Sequence, residues 1–540
     1  MGATTGTAIK AVLRSGCANP SGACPNCSPG GRRVSDISVA EALRSNASRV
    51  VVEAPAGTGK TFQAASYARH AAVNLHRGQK VLILAHTHAA CGVFSSRTAD
   101  LRRSLQVGTI DSLVASVATI YHRAIDLPAD VPMWSIERGT GSYPELARRV
   151  RLLLEHSPGI AGALVERHPV VICDEHQDAS SDQHGIIEAL ARAGARTRYF
   201  GDPMQAIFTV GRERAAQQRR WRELIAASDA NEALDTAHRW TNGSQALGAW
   251  VLEQRERLRA GEALDLRGDL PGGLQVFRAD NQSPRYGGFQ ISGEARRPIN
   301  AFVRNSPNLL TLTPHNATVG GLNAFFGWRI PIWEGHSRDA LSDLLAACRR
   351  HVGNPVALGM AMCTFLEAVG VGFSATAFGN RLVRELETRC ANPSRGKPAE
   401  IQSLARLILQ DSDHVGVGAA IHQVGRLMHT SQHFSQIRID LRREFAEACK
   451  IQMHADMTTV LAAQAHQRAA RPADMPPQVI STVHKSKGLE TSSAILLPCD
   501  ANNLANNEKN RCLLYVALSR ARESLALVVP QDNPSPLVQV

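Results

Sequence analysis

No stretch of the 540-residue chain approaches the ~18 consecutive apolar residues of a membrane-spanning helix, so no span of that kind is expected. The first residues lack the charged, apolar and small-residue series of a secretory signal. No internal repeat is evident. Cys24 and Cys27 have metal-ligand spacing and Cys17 lies nearby, but no fourth Cys or His is close to them. The expectation for residues 1–35 is a flexible leader rich in Gly, Ser, Ala and Pro, carrying incidental thiols rather than a zinc or iron–sulfur site. The 11 cysteines are odd in number and mostly scattered through apolar segments, as Cys173 and Cys499 are, which points to reduced thiols in a cytoplasmic protein. Charge is not scarce. Sixty basic against 48 acidic residues leave a net +12, an excess that permits a polyanionic partner. The chain is also too long for a single core.

Against these absences stands Glu53 to Thr61, EAPAGTGKT. It follows the apolar run Val50-Val51-Val52, which reads as a buried strand, and leads into a stretch of helical period. Strand, glycine-rich turn and Lys-Thr opening a helix is the arrangement of a phosphate-binding loop. Pro55, Ala56, Gly57, Thr58 and Gly59 would wrap the phosphates, Lys60 would reach the outer ones and Thr61 would offer its hydroxyl to Mg²⁺. Ala54 stands where the first glycine is usual.

Three more apolar runs end in polar clusters: KVLILA before HTHAAC, PVVIC before DEHQD, and Arg198 to Phe200 before GDPMQ. Strands alternating with helices imply a parallel sheet, and ligands sit at the carboxyl ends of such strands. These clusters should therefore converge with Lys60. Asp174 and Glu175 follow one strand: the first can hold Mg²⁺ and the second can polarise a water. Gln205 follows the next and can sense the γ-phosphate. Val107 to Val117 begins polar and becomes a helix. Ala40 to Ser45 reads as a short helix, Gln282 to Arg297 as loop, Leu309 to Leu312 and Trp328 to Ile332 as strands, and Tyr515 to Arg522 as the start of a helix. The arginine-rich stretch Arg196 to Arg222 reads as largely a solvated helix with Trp221 turned to the core, ahead of a nucleic-acid face. The expected organisation is a first α/β unit over 36–119 and 169–234 with a small helical insertion at 120–168. A second unit spans 235–336 and 475–540, interrupted by a helical insertion at 337–474.

Taken in order, APAGTGKT, LAHTHAACGVFSSR, GTIDSL, VVICDEHQD, FGDPMQAIF, LDTAHRW, VISTVHKSKGLE and YVALSRAR resemble the motifs of the UvrD/Rep family of superfamily 1 helicases. The resemblance spans about residues 38–530, and its most specific part is KGLE followed about 25 residues later by YVALSRAR. It implies two RecA-like parallel-sheet P-loop NTPase domains that hydrolyse ATP with Mg²⁺ and move on single-stranded DNA in the 3′-to-5′ direction. It assigns Arg239 and Arg520 to the γ-phosphate, Gly488 and Glu490 to the nucleotide, with Glu490 on its ribose, and Gln205 to coupling. Thr87, His88, Thr109, Ser112, Thr482 and His484 match positions that contact single-stranded DNA, and Phe208 keeps one base-stacking aromatic.

This chain departs from the family pattern in several places. Val39 or Ala40 stands where the adenine-reading glutamine is usual, Phe62 replaces a basic residue, and His238 replaces an aromatic that stacks on adenine. Phe62 and His238 could still sandwich the base. The stacking turn after GDPMQAIF is replaced by TVGRERA, and both insertions are short. Two functional expectations follow: a DNA helicase or translocase in repair, recombination or phage and plasmid defence, or a nucleotide-gated sensor or regulatory subunit beside a nuclease, since this chain has no recognisable nuclease motif.

Overall fold

The computed structural model describes residues 32–138, 141–209, 211–280, 289–291, 293–334, 338–373, 375–457, 459–461 and 475–540. Cys17, Cys24 and Cys27, with nearly all of the expected leader, lie outside the described residues.

Six strands form the first sheet: β1 (Arg49–Glu53), β2 (Val81–Ala85), β3 (Leu105–Thr109), β4 (Val170–Cys173), β5 (Arg196–Gly201) and β6 (Ala230–Ala233). Their order is β3-β2-β4-β5-β1-β6, and every pairing is parallel. The apolar runs of β1, β2 and β4 are explained by burial on both faces. Val51, Leu82 and Leu84 point into one core, while Val50, Val52 and Ile83 point into the other, as the period of two along a strand requires. Helices Val131–Arg138, Ser142–His156 and Pro158–Arg167 precede β4.

Five strands form the second sheet: β7 (Leu274–Arg278), β8 (Leu309–Thr313), β9 (Gln478–Thr482), β10 (Thr491–Leu496) and β11 (Ala521–Val529). The order is β9-β8-β10-β11-β7, again all parallel. Between β8 and β9 a group of helices, including Pro355–Val369, Lys397–Gln410 and His414–Thr430, encloses a core of its own around Leu358, Leu404 and Ile421. Two parallel sheets flanked by helices make this an α/β protein with RecA-like units.

Local expectations needed correction. The short helix at Ala40 to Ser45 runs instead over Arg32–Arg44. Of the expected loop at 282–297, residues 282–288 and 292 lie outside the described residues, and 293–297 belong instead to helix Gly293–Asn305, because Ile299, Phe302 and Val303 share one buried face that composition alone did not reveal. Trp328 to Ile332 is not a strand: Trp328 has φ +62°, and only Ile332 bridges to Ile480. Proline at 331 also removes one ladder donor. Tyr515 lies near the end of helix Glu508–Leu518, not at its start, because Asn507 caps that helix by accepting from the Asn510 N–H. Arg520 therefore sits in the turn between this helix and β11. Trp221 is buried, as expected.

Candidate active site

A cavity of about 980 Å³ opens where the carboxyl ends of the first sheet's strands face the segments after β9 and before β11. The phosphate loop forms one wall. Ala54 does not need glycine's freedom: its N–H donates to the Gly201 carbonyl at 2.8 Å and simply extends the β1–β5 ladder. Gly57 does need it. Its φ is +76°, and a Cβ there would lie 2.7 Å from the Cβ of Arg239 and 2.8 Å from the Trp240 ring. The Thr58 hydroxyl closes the turn on the Pro55 carbonyl at 2.8 Å. Gly59 at the N-cap offers no side chain to helix Lys60–Val73, so the first N–H groups of that helix face the loop.

The carboxylates come from the end of β4. Asp174 is buried, and its N–H donates to the Leu84 carbonyl at 2.8 Å. Glu175 takes φ +53°, uncommon for a side chain of its size, and so turns out of the sheet toward Lys60. Lys60 Nζ bonds Glu175 Oε1 and lies 3.6 Å from Asp174 Oδ1. Burial lowers the Lys60 ammonium's pKa, but Glu175 and Asp174 more than reverse it and hold it above its ordinary value. Burial opposes ionisation of Glu175, yet Lys60 and Lys487 keep it well below the usual carboxylate range. Burial pushes Asp174 up, against the pull of Lys60. Lys487, from the segment after β9, binds the Asp178 carboxylate and donates to the Gln205 carbonyl at 2.6 Å. Asp178 is pushed up to about 6 by burial, with Lys487 pulling it down.

Gln205 is buried, and its amide donates to Asp202 Oδ2 at 2.9 Å. Asp202 is in turn held by Arg255 at 3.1 and 2.7 Å, and Arg255 also reaches Glu53 at 2.6 Å. Arg239 Nε pairs with Glu490 at 2.8 Å, and its Nη1 donates to the Ser519 carbonyl at 2.5 Å. Arg520 is 1 % exposed and donates to the Val516 and Leu489 carbonyls and to Ser519 Oγ, at 2.8, 3.0 and 2.6 Å. Burial, with Arg239 adding to it, lowers its pKa to about 9. Among the described residues no carboxylate lies within ion-pair distance of this guanidinium. Tyr515 closes the junction by accepting from the Ala56 N–H at 2.8 Å.

Beside the phosphate loop, Phe62 is exposed and His238 Nε2 meets Asp36 Oδ2 at 2.8 Å. Val39 is fully buried and does not line the cavity, whereas Asp36 and Gln63 do, the Gln63 amide donating to the Asp36 carbonyl at 3.2 Å. On the far side, Phe208 is exposed, with its ring centroid 6.3 Å from that of His484 and 5.2 Å from Lys487 Nζ. Thr87 caps helix His88–Arg97 by accepting from the Ala90 N–H, and His88 is exposed.

The cavity thus brings together Pro55 to Gly57, Gly59 to Phe62, Thr87, Asp174, Glu175, Gln205, Phe208, His238, Arg239, His484, Gly488, Glu490 and Arg520. It does not include Ala54, Thr58, His88, Thr109, Ser112 or Thr482 in its lining. Thr109 and Thr482 are buried, and their hydroxyls accept from the Ser112 and Lys485 N–H groups. Ser112 Oγ donates back to the Thr109 carbonyl. Sequence reasoning did not single out Asp36, Arg255, Lys487 or Tyr515. Lys487 and Tyr515 lie inside the quoted motifs HKSKGLE and YVALSRAR, whereas Arg255 carries no motif signal.

A Mg²⁺ site fits this donor set. Asp174 Oδ1 is a buried oxygen without a hydrogen-bond partner, and Thr61 lines the same space. Hard oxygen ligands in small number, completed by phosphates, suit that ion.

A family model described as an AAA domain matches residues 37–271, and one described as a UvrD-like helicase C-terminal domain matches residues 477–528. No curated protein matches the chain. The two matched segments supply the two walls of the cavity, Lys60 to Arg239 from the first and Glu490 and Arg520 from the second. Together the two family models support a helicase-like protein similar to the UvrD/Rep type of superfamily 1.

Proposed function

We propose that the chain hydrolyses ATP between its two α/β units and couples hydrolysis to 3′-to-5′ movement on single-stranded DNA, in repair, recombination or defence against phage and plasmids. The observation that carries this reading is one cavity lined by Lys60, Glu175 and Arg239 at one end and by Phe208 and His484 at the other. Lys60 and the loop N–H groups bind the phosphates. Thr61 and Asp174 would hold Mg²⁺, which neutralises phosphate charge when bound. Glu175, kept ionised by two lysines, orients the attacking water and accepts its proton. Arg239 and Arg520 stabilise the charge that develops on the transferred phosphoryl. Phe62 and His238 flank the base, with Asp36 at its edge, and Glu490 meets the ribose. Gln205 couples the two ends, because its carbonyl accepts from Lys487 and Lys487 lies beside Phe208.

Steady-state ATPase with and without single-stranded DNA tests the reading. Stimulation by DNA at low salt is expected, and its absence would sink the DNA assignment. One observation favours a second reading, a nucleotide-gated sensor or nuclease-regulating subunit. Thr109 and Thr482 direct their hydroxyls inward, which leaves fewer groups to grip a strand. Robust strand displacement by the isolated chain would eliminate that alternative.

A further inference from the structure

A second cavity of about 500 Å³ lies where the second sheet's unit meets the helical insertion. None of its lining residues lines the first cavity. Five of them matter here: Asn323, Trp328, Arg438, Asp440 and Arg442. Asn323 is 6 % exposed, and its Oδ1 is buried with no hydrogen-bond partner. Such a group costs stability unless something entering the cavity donates to it. Trp328 takes φ +62°, unusual for a bulky aromatic, in the turn that ends helix Asn316–Phe325, where its N–H donates to the Asn323 carbonyl at 2.9 Å. Strain of that kind concentrates at ligand sites. The Arg438 guanidinium stands 5.2 Å from the centre of the Trp328 ring. Burial raises the pKa of the Asp440 carboxyl, against the electrostatic pull of Arg442.

The features call for one kind of ligand. The Trp328 indole, covered on one face by the Arg438 guanidinium, would offer its other face to a flat ring by stacking. An orphaned Asn323 oxygen, with the Asp440 carboxylate, takes N–H donors on that ring. Arg438 and Arg442 take an anion attached to it. A flat heterocycle with amino groups and a phosphate is a nucleotide. We propose that this cavity is a second nucleotide site that holds one nucleotide unit, either a free nucleoside monophosphate or an unstacked unit of a nucleic-acid strand. The assignment does not rest on the reading of the first cavity.

The test uses the full chain carrying Lys60→Ala, so that phosphate binding in the first cavity contributes little. Tryptophan emission is followed while dAMP or a single-stranded oligo(dA) is added, and the same titration is run with Trp328→Phe added. The difference between the two isolates the signal of Trp328. Saturable quenching that depends on Trp328 is expected, and Arg438→Glu and Asn323→Leu should each weaken it at least about tenfold. Quenching by dAMP that the oligonucleotide does not improve identifies a free nucleotide. Much tighter binding of the oligonucleotide, falling steeply with salt, identifies a strand. Trp328→Gly removes the ring and relaxes the backbone. It should melt no lower than the parent and yet lose binding to either probe, measured by fluorescence anisotropy of labelled forms. Absence of Trp328-dependent quenching by both probes would overturn the proposal. So would unchanged affinity in Arg438→Glu and Asn323→Leu, or retained binding in Trp328→Gly.

Discussion

Arg520 has its guanidinium in the cavity wall, yet its hydrogen bonds go to two backbone carbonyls and a serine hydroxyl rather than to a carboxylate. A cation fixed by neutral dipoles keeps its charge available to an anion, and burial lowers its pKa to about 9, leaving it charged at neutral pH. Lysine in its place keeps a charge but loses the planar fork. Arg520→Lys should therefore slow turnover by roughly three powers of ten while nucleotide affinity stays within about threefold. Steady-state ATPase beside a fluorescent-nucleotide titration measures both, and unchanged turnover would remove the assignment. That Lys60, Thr61, Asp174 and Glu175 line one cavity was legible in the sequence, because a glycine-rich turn precedes the first pair and a buried apolar strand ends at the second. Asp36 was not, because it reaches the site by the packing of helix Arg32–Arg44, and no local spacing records that.

Elements buried on both faces announced themselves. VVV in β1, VLILA in β2 and VVIC in β4 are uninterrupted apolar runs. The edge strands β3, LQVGT, and β6, ANEA, are only partly buried, so polar residues are tolerated and the period is lost. The join between helix Pro158–Arg167 and β4 carries a titrating group of its own. His168 is buried, and its Nδ1 lies 3.3 Å from the Lys80 carbonyl at the entry to β2. Burial lowers its pKa, with Arg167 and Lys80 adding to that and the carbonyl opposing it. The folded chain therefore refuses a proton that the unfolded chain accepts near pH 6.5. Its contribution to stability is intact above about 6.5 and is lost as pH falls below that, by at most about 1.4 kcal/mol per pH unit. Denaturant unfolding of the parent and of His168→Gln, compared at pH 7.5, 6.5 and 5.5, reads the difference directly. The parent should lose ground to the variant on acidification, and parallel curves would show that His168 titrates normally.

At the scale of the whole molecule, the site exists only because two sheets meet. Lys60 and Arg520 are 460 positions apart in the chain, and no local pattern could say that Tyr515 would accept from the Ala56 N–H or that Arg255 would brace Glu53 and Asp202. Motif order implied the meeting, but Arg255 sits in helix Gln245–Ala260 outside every motif, and the spacing of the motifs that contain Lys487 and Tyr515 did not mark those two residues. Lys487 is the one that spans the site. It holds Asp178 and the Gln205 carbonyl, lies 3.7 Å from Glu175, and stands beside the exposed Phe208 ring. If nucleotide acts at one end and a DNA strand at the other, their mutual influence passes through this ammonium. Coupling is reciprocal: the factor by which nucleotide changes DNA affinity equals the factor by which DNA changes nucleotide affinity. Lys487→Ala should collapse both factors together toward one, from a starting value expected within about 5–150-fold. Each ligand alone should still bind. Four dissociation constants, for a labelled strand and a labelled nucleotide, each with and without the other, close the thermodynamic square for parent and variant. A square whose coupling survives the loss of Lys487 would mean that the two ends communicate elsewhere, with the Arg255 clamp on Asp202 the next route to break.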